Sequence, residues 1–272
     1  MARTVLVTGC SSGIGRATAL ELLDRDWTVY ATARDPSDLA ALAERGCRTA
    51  RLDVTDDDHV ARVVDRMLEA AGWIDCIVNN AGYSQTGAVE EVPLRRVRDQ
   101  FDVNFYGPYR LIRAVLPHMR ERGAGTVITV SSTGGRVSIP GYGAYCASKH
   151  AVEGLCDALR TEVAPFGVDV VLVEPGFTRT NYYETADQTL SAVGVAESPY
   201  ERLYRRLDRI GDVGLRTLGS EPEDVAAVIA DAAGADDPAA RYPVGIDARL
   251  VLLSRWLPDG VRDRIERALY WW

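Results

Sequence analysis

The sequence predicts a doubly wound α/β fold, one parallel sheet covered by helices on both faces, and three observations predict it. Short β-branched runs alternate with longer helical patterns along most of the chain. The runs are largely apolar throughout, as expected for parallel strands buried on both faces. A glycine-rich turn joins the first run to the first helix. Such alternation builds right-handed βαβ units. Strands are expected at 4–9 (TVLVTG), 28–33 (TVYATA), 47–54 (CRTARLDV), 74–80 (IDCIVNN), 125–132 (GTVITVSS) and 168–176 (VDVVLVEPG). Helices are expected at 13–25, 36–45, 56–71, 93–121 and 144–165. The second starts at Asp35-Pro36, and the third at Thr55 with Asp58 three residues on. No repeat or low-complexity linker interrupts the pattern, so a single domain over 1–272 is expected, with an irregular insertion at about 181–220.

At 272 residues, 47% hydrophobic and 26% charged, the chain has the proportions of an ordinary soluble globular protein. A formal net charge of −8 leaves no basic excess to displace counterions, which argues against a nucleic-acid partner. Cys10, Cys47, Cys76, Cys146 and Cys156 form no CxxC pair and are odd in number, so buried reduced thiols are expected. His59, His118 and His150 show no ligand spacing, and no metal site is expected. The N-terminal apolar run is too short for a signal peptide. No segment reaches the roughly 20 apolar residues that span a bilayer. A cytoplasmic protein is the expectation.

"TGCSSGIG" (8–15) closes the first strand and opens the first helix. Gly9, Gly13 and Gly15 allow a tight turn and close backbone approach to a pyrophosphate, with the helix N-terminus facing the negative charge. A plain turn is the alternative, but the strand–turn–helix setting favours phosphate binding. Further on, "YCASK" (145–149) contains Lys149, the only lysine in a chain with 31 basic residues. Placed at i and i+4 of a helix, Tyr145 and Lys149 share one face. A nearby ammonium favours phenolate, which suits a general acid/base.

With these motifs and those between them, the chain resembles the short-chain dehydrogenase/reductase family, in its compact, NADP-linked branch and similar to 17β-hydroxysteroid dehydrogenase-like members. The resemblance runs from residue 4 to about 180 and implies a Rossmann-type oxidoreductase domain. Its cofactor-binding half is about 1–125 and its catalytic and substrate half about 126–272, with a lid at about 181–220. "TGCSSGIG" matches the cofactor loop and brings in Ser11, Ser12 and Ile14 beside the glycines. "LDVTD" (52–56) places Asp53 and Val54 against adenine, and "NNAG" (79–82) places Asn80, Ala81 and Gly82 beside the central sheet. "EPGFTRT" (174–180) supplies Pro175, Gly176 and Thr178 to the nicotinamide. The catalytic set implied is Asn104 from "DVNFYG", Ser132 from "TVSS", Tyr145 and Lys149, with Ser132 and Tyr145 thirteen residues apart as in the family. In that set the lysine also donates to both ribose hydroxyls, which the rigid, bulkier guanidinium fork would not reproduce. Asn104 is implied to sit at a helix irregularity that holds a relay water. An Asn merely tolerated at a kink before Pro108 fits the local chemistry as well.

At the end of the second strand, "YATARD" puts Ala33 where NAD-linked relatives carry Asp, followed by Arg34. Arg34 suits a 2′-phosphate, with Ser11 and Ser12 assisting, so NADP(H) is expected over NAD(H). Asp35 is the rival ribose ligand if the strand ends one residue later, and a solvated Arg34 is the other alternative. For substrate, the small and apolar wall at 133–144 offers Val137, Ile139 and Tyr142. Together with the tyrosine-rich lid it favours a lipophilic ketone or secondary alcohol. An acyl-thioester reductase would draw on Arg202, Arg205, Arg206 and Arg209 to hold its carrier. A non-catalytic NADP(H) sensor typically loses the tyrosine or lysine, and both are present. The glycine spacing and the short C-terminal part speak against a nucleotide-sugar epimerase.

The C-terminal "ARLVLLSRWLPDGVRDRIERALYWW" mixes apolar residues, arginines and three tryptophans. Packing on its own domain or a second subunit is the preferred reading, and an amphipathic pair lying on a membrane surface is the alternative. A homodimer or homotetramer is expected through segments 93–121 and 144–165.

Overall fold

The computed structural model describes residues 2–180 and 198–271. Seven parallel strands form one sheet in the order β3-β2-β1-β4-β5-β6-β7. They are β1 (Thr4–Thr8), β2 (Thr28–Ala33), β3 (Arg48–Arg51), β4 (Cys76–Asn79), β5 (Gly125–Val130), β6 (Val168–Pro175) and β7 (Arg241–Val244). The described helices are α1 (Gly13–Asp24), α2 (Ala40–Arg45), α3 (Asp57–Ala71), α4 (Leu94–Phe101), α5 (Gly107–Arg122) and α6 (Gly143–Val163). They continue with α7 (Glu201–Leu218), α8 (Pro222–Gly234), α9 (Ile246–Leu253) and α10 (Asp259–Tyr270).

The uniformly apolar strands conceal a period of two. Val5 and Val7 face one layer with Val29, Val78 and Ile128, packed on Leu22 of α1 and Val225 and Ile229 of α8. Leu6, Ile77 and Val127 face the other, on Met67 of α3, Leu111 and Val115 of α5 and Val152 of α6. Each such fully buried aliphatic side chain contributes roughly 1.5–3 kcal/mol. The order of strands reverses between β1 and β4, and a crevice opens there at the carboxyl ends, where ligands of such sheets bind.

The six expected strands and five expected helices form, and helix α8 (Pro222–Gly234) adds to them unexpected; four further differences appear. The cap of α3 is Asp56, whose carboxylate accepts from His59 N, and not Thr55, which instead donates to Asp53. The expected helix at 93–121 is broken by a wider π-type turn at Asp102–Tyr106, and α5 follows it. β7 was not expected. Its four residues include Pro243, tolerated because β7 is the sheet edge and pairs only with β6. Finally, the insertion read as irregular over 181–220 holds an 18-residue helix, α7. Leu203, Tyr204 and Leu207 fall on one face and bury against Ala88 and Tyr270, a spacing masked by the aperiodic residues before it. Residues 181–197 of the expected lid lie outside the described residues.

All five cysteines are buried and free. No helix among the described residues is long and apolar enough to cross a membrane, and no described cluster of His, Cys, Asp or Glu has the makings of a metal site.

Candidate active site

A cleft of about 1070 Å³ runs along the carboxyl ends of the strands, from the glycine loop at one end to an apolar wall at the other. Its first end is built by β1 and the turn into α1. Gly9 adopts φ +74°, a left-handed conformation that glycine accepts without strain. A Cβ at Gly15 would collide with the Gly9 carbonyl oxygen and the Asn80 amide, so only glycine brings α1 this close to the sheet. Asn80 Nδ2 donates to Thr8 O at 2.9 Å and Gly9 O at 3.2 Å, and Thr8 Oγ1 accepts from Asn80 N and Ala81 N. The motif at 79–82 thus stitches the end of β4 to the glycine loop. Ser12 stands at the α1 N-cap without a side-chain hydrogen bond to the helix and lines the cleft.

Arg34, Asp53 and Val54 line the same end. Arg34 is exposed. The Asp35 carboxylate is engaged locally, accepting from Ser37 N at 2.9 Å and Ser37 Oγ at 2.7 Å as the cap of the turn at Pro36–Leu39. Of the two residues weighed for ribose recognition, only Arg34 lies on the cleft. Asp53 is held below the usual carboxylate range: burial opposes this, but hydrogen bonds from Thr55 and the Arg34 charge outweigh it.

At mid-cleft the catalytic candidates converge. Ser132 caps the short turn Thr133–Gly135, its Oγ accepting from Gly134 N at 3.1 Å, which leaves the hydroxyl proton to donate. A Cβ at Gly134 would lie 3.1 Å from the Tyr145 ring and 3.5 Å from Ser132 Oγ, so this glycine lets serine and tyrosine share one corner. Lys149, one turn after Tyr145 on α6, is buried with its Nζ 6.0 Å from the Tyr145 ring centroid and donating to Val130 O at 2.8 Å. Burial lowers its ammonium from the ordinary 10.5 to about 8, against the opposing pull of Glu153. Asn104 lies in the π-type turn. Its Oδ1 accepts from Tyr83 N, while Nδ2 donates to Tyr83 O and to Ser148 Oγ. A side chain at Gly82 would stand 3.1 Å from Asn104 Oδ1 and 3.7 Å from Lys149 Nζ. The four sequence-selected residues therefore lie around one point. Ser148, missed in the sequence, ties them: its hydroxyl donates to Tyr145 O at 2.7 Å and accepts from Asn104. Its place between Tyr145 and Lys149 was the available signal.

Pro175, Gly176 and Thr178 line the cleft beside this point. The loop is held by a residue sequence reading did not select. Asp247, buried in α9, accepts from Phe177 N at 2.6 Å, and a Cβ at Gly176 would collide with its carboxylate. Behind α6, two buried acids meet two arginines. Glu174 pairs with Arg136 at 3.0 Å and Arg241 at 3.1 Å, and Glu153 with Arg241 at 3.0 Å. Burial, then the Glu153 charge, push the Glu174 carboxyl up despite both arginines. The cluster joins the Ser132 turn, the Lys149 helix and the end of β6.

Val137, Ile139 and Tyr142 line the far end, as selected. Much of that wall comes from residues the sequence reading did not select: Leu207 and Ile210 of α7, inside the expected lid, and Leu257, Ile265 and Leu269 of the C-terminal segment. Arg202, Arg205, Arg206 and Arg209 are absent from the cleft lining, which α7 meets with Leu207, Ile210 and Gly211.

Comparison with known proteins agrees with this fold. Residues 3–191 match the short chain dehydrogenase family. The chain is 36% identical to the oxidoreductase YbbO of Escherichia coli (strain K12), covering 97% of this chain and 94% of that one. It is 34% identical to a 3-ketodihydrosphingosine reductase of Bacteroides thetaiotaomicron, covering 98% and 97%. With human 17-beta-hydroxysteroid dehydrogenase type 1 it shares 37% identity over 89% of this chain and 77% of the other. Among solved structures, a short-chain dehydrogenase from Streptomyces avermitilis superposes with a TM-score of 0.80 at 36% identity, covering 97% and 95%. A metagenomic short-chain oxidoreductase in complex with NADP gives 0.69 at 28% identity over 89% and 96%. One from Burkholderia phymatum in complex with NAD gives 0.78 at 26% over 98% and 94%.

Proposed function

Since the chain belongs to the short-chain dehydrogenase family, we propose that it is an NADP(H)-dependent oxidoreductase interconverting a lipophilic ketone and its secondary alcohol. The observation that carries this reading is the meeting of Ser132, Tyr145 and Lys149 at the middle of a cleft with a glycine cradle at one end and an apolar wall at the other.

The residues present fit a dinucleotide. The loop of Gly9, Ser11, Ser12, Gly13, Ile14 and Gly15 would hold the pyrophosphate at the α1 N-terminus. Asp53 and Val54 would meet adenine, Asn80, Ala81 and Gly82 would follow the chain of the cofactor, and Pro175, Gly176 and Thr178 would meet the nicotinamide. Arg34 would pair with a 2′-phosphate, since the neighbouring Asp35 carboxylate is engaged by Ser37. The bound nicotinamide supplies or accepts the hydride. Ser132 holds the substrate oxygen with its free hydroxyl proton, a contact that typically contributes a few kcal/mol to the transition state. Tyr145 gives its phenolic proton to that oxygen as the alcohol forms and takes it back in the reverse direction. Lys149 remains mostly charged at pH 7 and favours the phenolate that Tyr145 passes through. Asn104, fixed by Tyr83 and Ser148, keeps the π-type turn open beside Lys149.

Two observations support a lipophilic substrate: the apolar wall and the similarity to a hydroxysteroid dehydrogenase and a ketodihydrosphingosine reductase. The thioester alternative would use the four α7 arginines outside the cleft, whose lining they do not join, to hold its carrier. A homodimer or homotetramer belongs to the same reading. NADPH and NADH oxidation followed by absorbance, over hydrophobic ketones and acyl thioesters, tests it. Ketone turnover is expected with NADPH preferred, lost by about 10²-fold or more in Tyr145→Phe and with the preference collapsing in Arg34→Ala. NADPH binding without turnover of any substrate would favour the sensor instead.

A further inference from the structure

In the C-terminal segment Tyr270 is buried and Leu257, Ile265 and Leu269 line the cleft, while a row of apolar residues on α9 stays on the surface. In 246–256, α9 and the short turn Ser254–Trp256, Ile246 is 69% exposed, Leu250 58%, Leu253 64% and Trp256 76%. The first three recur at i, i+4 and i+7, so they form one stripe on the outer face. The inward face carries Val251 and Ser254 to the cleft, and Leu257, just beyond the turn, lines the cleft while remaining exposed. The stripe and the cleft wall are thus continuous across one helix.

Within 246–258 the exposed charges are of one sign, and the acid that follows, Asp259, is paired with Arg262 at 2.8 Å. Between 246 and 258 the charged residues are Asp247, Arg249 and Arg255. Asp247 is buried and accepts from Phe177 N, which leaves the two arginines facing out on a chain whose net charge is −8. The Arg255 guanidinium lies 4.7 Å from the Trp256 ring centroid. A cation stacked on an exposed indole suits a boundary between apolar and polar phases.

We propose that this stripe docks the protein on an anionic lipid surface, with the apolar end of the cleft turned toward the bilayer. An apolar row flanked by arginine and tryptophan is what an interfacial helix presents to headgroups, and anionic lipids attract it against the charge of the rest of the chain. A second copy fits less well, since a twofold contact sets Arg249 and Arg255 against the same arginines with no exposed acid in the stripe to pair them. Docking rests on the stripe and its charges alone; delivery of substrate from the bilayer rests in addition on the lipophilic reading of the cleft.

Flotation of the full chain with phosphatidylcholine vesicles, and with vesicles of equal parts phosphatidylcholine and phosphatidylserine, tests the proposal. The expected result is flotation with the mixed vesicles only, weakened by added salt. The pair Leu250→Asp and Trp256→Asp reduces it at least about tenfold, and the pair Arg249→Glu and Arg255→Glu also reduces it. All four positions lie outside the cleft, so NADPH affinity and circular dichroism stay unchanged and show that the variants fold. Absence of flotation with either vesicle, or flotation that neither pair alters, overturns docking. So does a larger species in sedimentation that the aspartate pair dissociates while no flotation occurs. Flotation lost in the variants, from a protein that turns over no ketone, sustains docking and overturns the proposed reaction.

Discussion

Lys149→Met is expected to stabilise the cofactor-free protein at pH 7 while abolishing its activity. Burial takes the Lys149 ammonium from 10.5 down to about 8. At roughly 1.4 kcal/mol per pH unit, holding that charge inside the fold costs about 3 kcal/mol. Methionine keeps the unbranched stem and removes the charge. It also leaves Val130 O without its 2.8 Å donor, a loss of about 1 kcal/mol. The net expectation is a gain of about 2 kcal/mol at pH 7, a rise of a few degrees in Tm. The pH dependence has a definite sign. Between about pH 8 and 10.5 the unfolded wild-type chain binds a proton at this lysine that the native protein has released, so wild-type stability rises through that window. The variant has no such group, so its advantage crosses zero inside the window and becomes a deficit of about 1 kcal/mol at the top, where only the lost Val130 bond remains. Urea unfolding of both proteins at pH 7 and at the alkaline end measures this directly. A variant less stable than wild type at pH 7, or a difference that does not shrink with pH, would refute the electrostatic account of Lys149.

Two further outcomes follow from the same corner of the fold. Gly15→Ala drives a Cβ into the Gly9 carbonyl and the Asn80 amide, so a destabilisation of about 1–3 kcal/mol is expected, with NADPH affinity reduced at least tenfold; fluorescence titration beside thermal unfolding checks both, and two unchanged values would contradict the packing described. Glu153→Gln removes the carboxylate that pulls the Lys149 ammonium upward. The alkaline limb of the kcat/KM profile, where activity falls as Lys149 loses its proton, then begins at lower pH, and a profile unmoved or moved upward would show that Glu153 does not act on Lys149.

Where the sequence was legible, short-range chemistry decided the outcome. The strands announced themselves by β-branched runs between helix starts, and the glycine loop by its position between β1 and α1. Tyr145 and Lys149 share a face because a helix dictates it. What escaped depended on distant partners. β7 has four residues and a proline, and exists because β6 offers an edge. Asp247 reads as one acid in an apolar run, yet it holds the loop at Phe177, seventy residues away. The wall from Leu257, Ile265 and Leu269 follows from how α10 returns over the cleft, which no local pattern encodes. The turn at 102–106 lies between: Asn104 and Pro108 hinted at an irregularity, and the π-type geometry appears only once Tyr83 and Ser148 bind the asparagine.

A chain with one lysine carries one ε-amine, and that amine lies in the cleft with its ordinary basicity much reduced. Apart from the amino terminus, every amine-directed reagent therefore has a single address in this protein. At mildly alkaline pH, where about half of the Lys149 side chains are neutral and nucleophilic, acylation or reductive alkylation reports who occupies the cleft. A ligand seated over Lys149 shields it, and intact mass then reads occupancy without any turnover. Attachment through surface lysines, the usual route to an immobilised enzyme, has no purchase here, so apart from the amino terminus such chemistry reaches only the centre of the cleft.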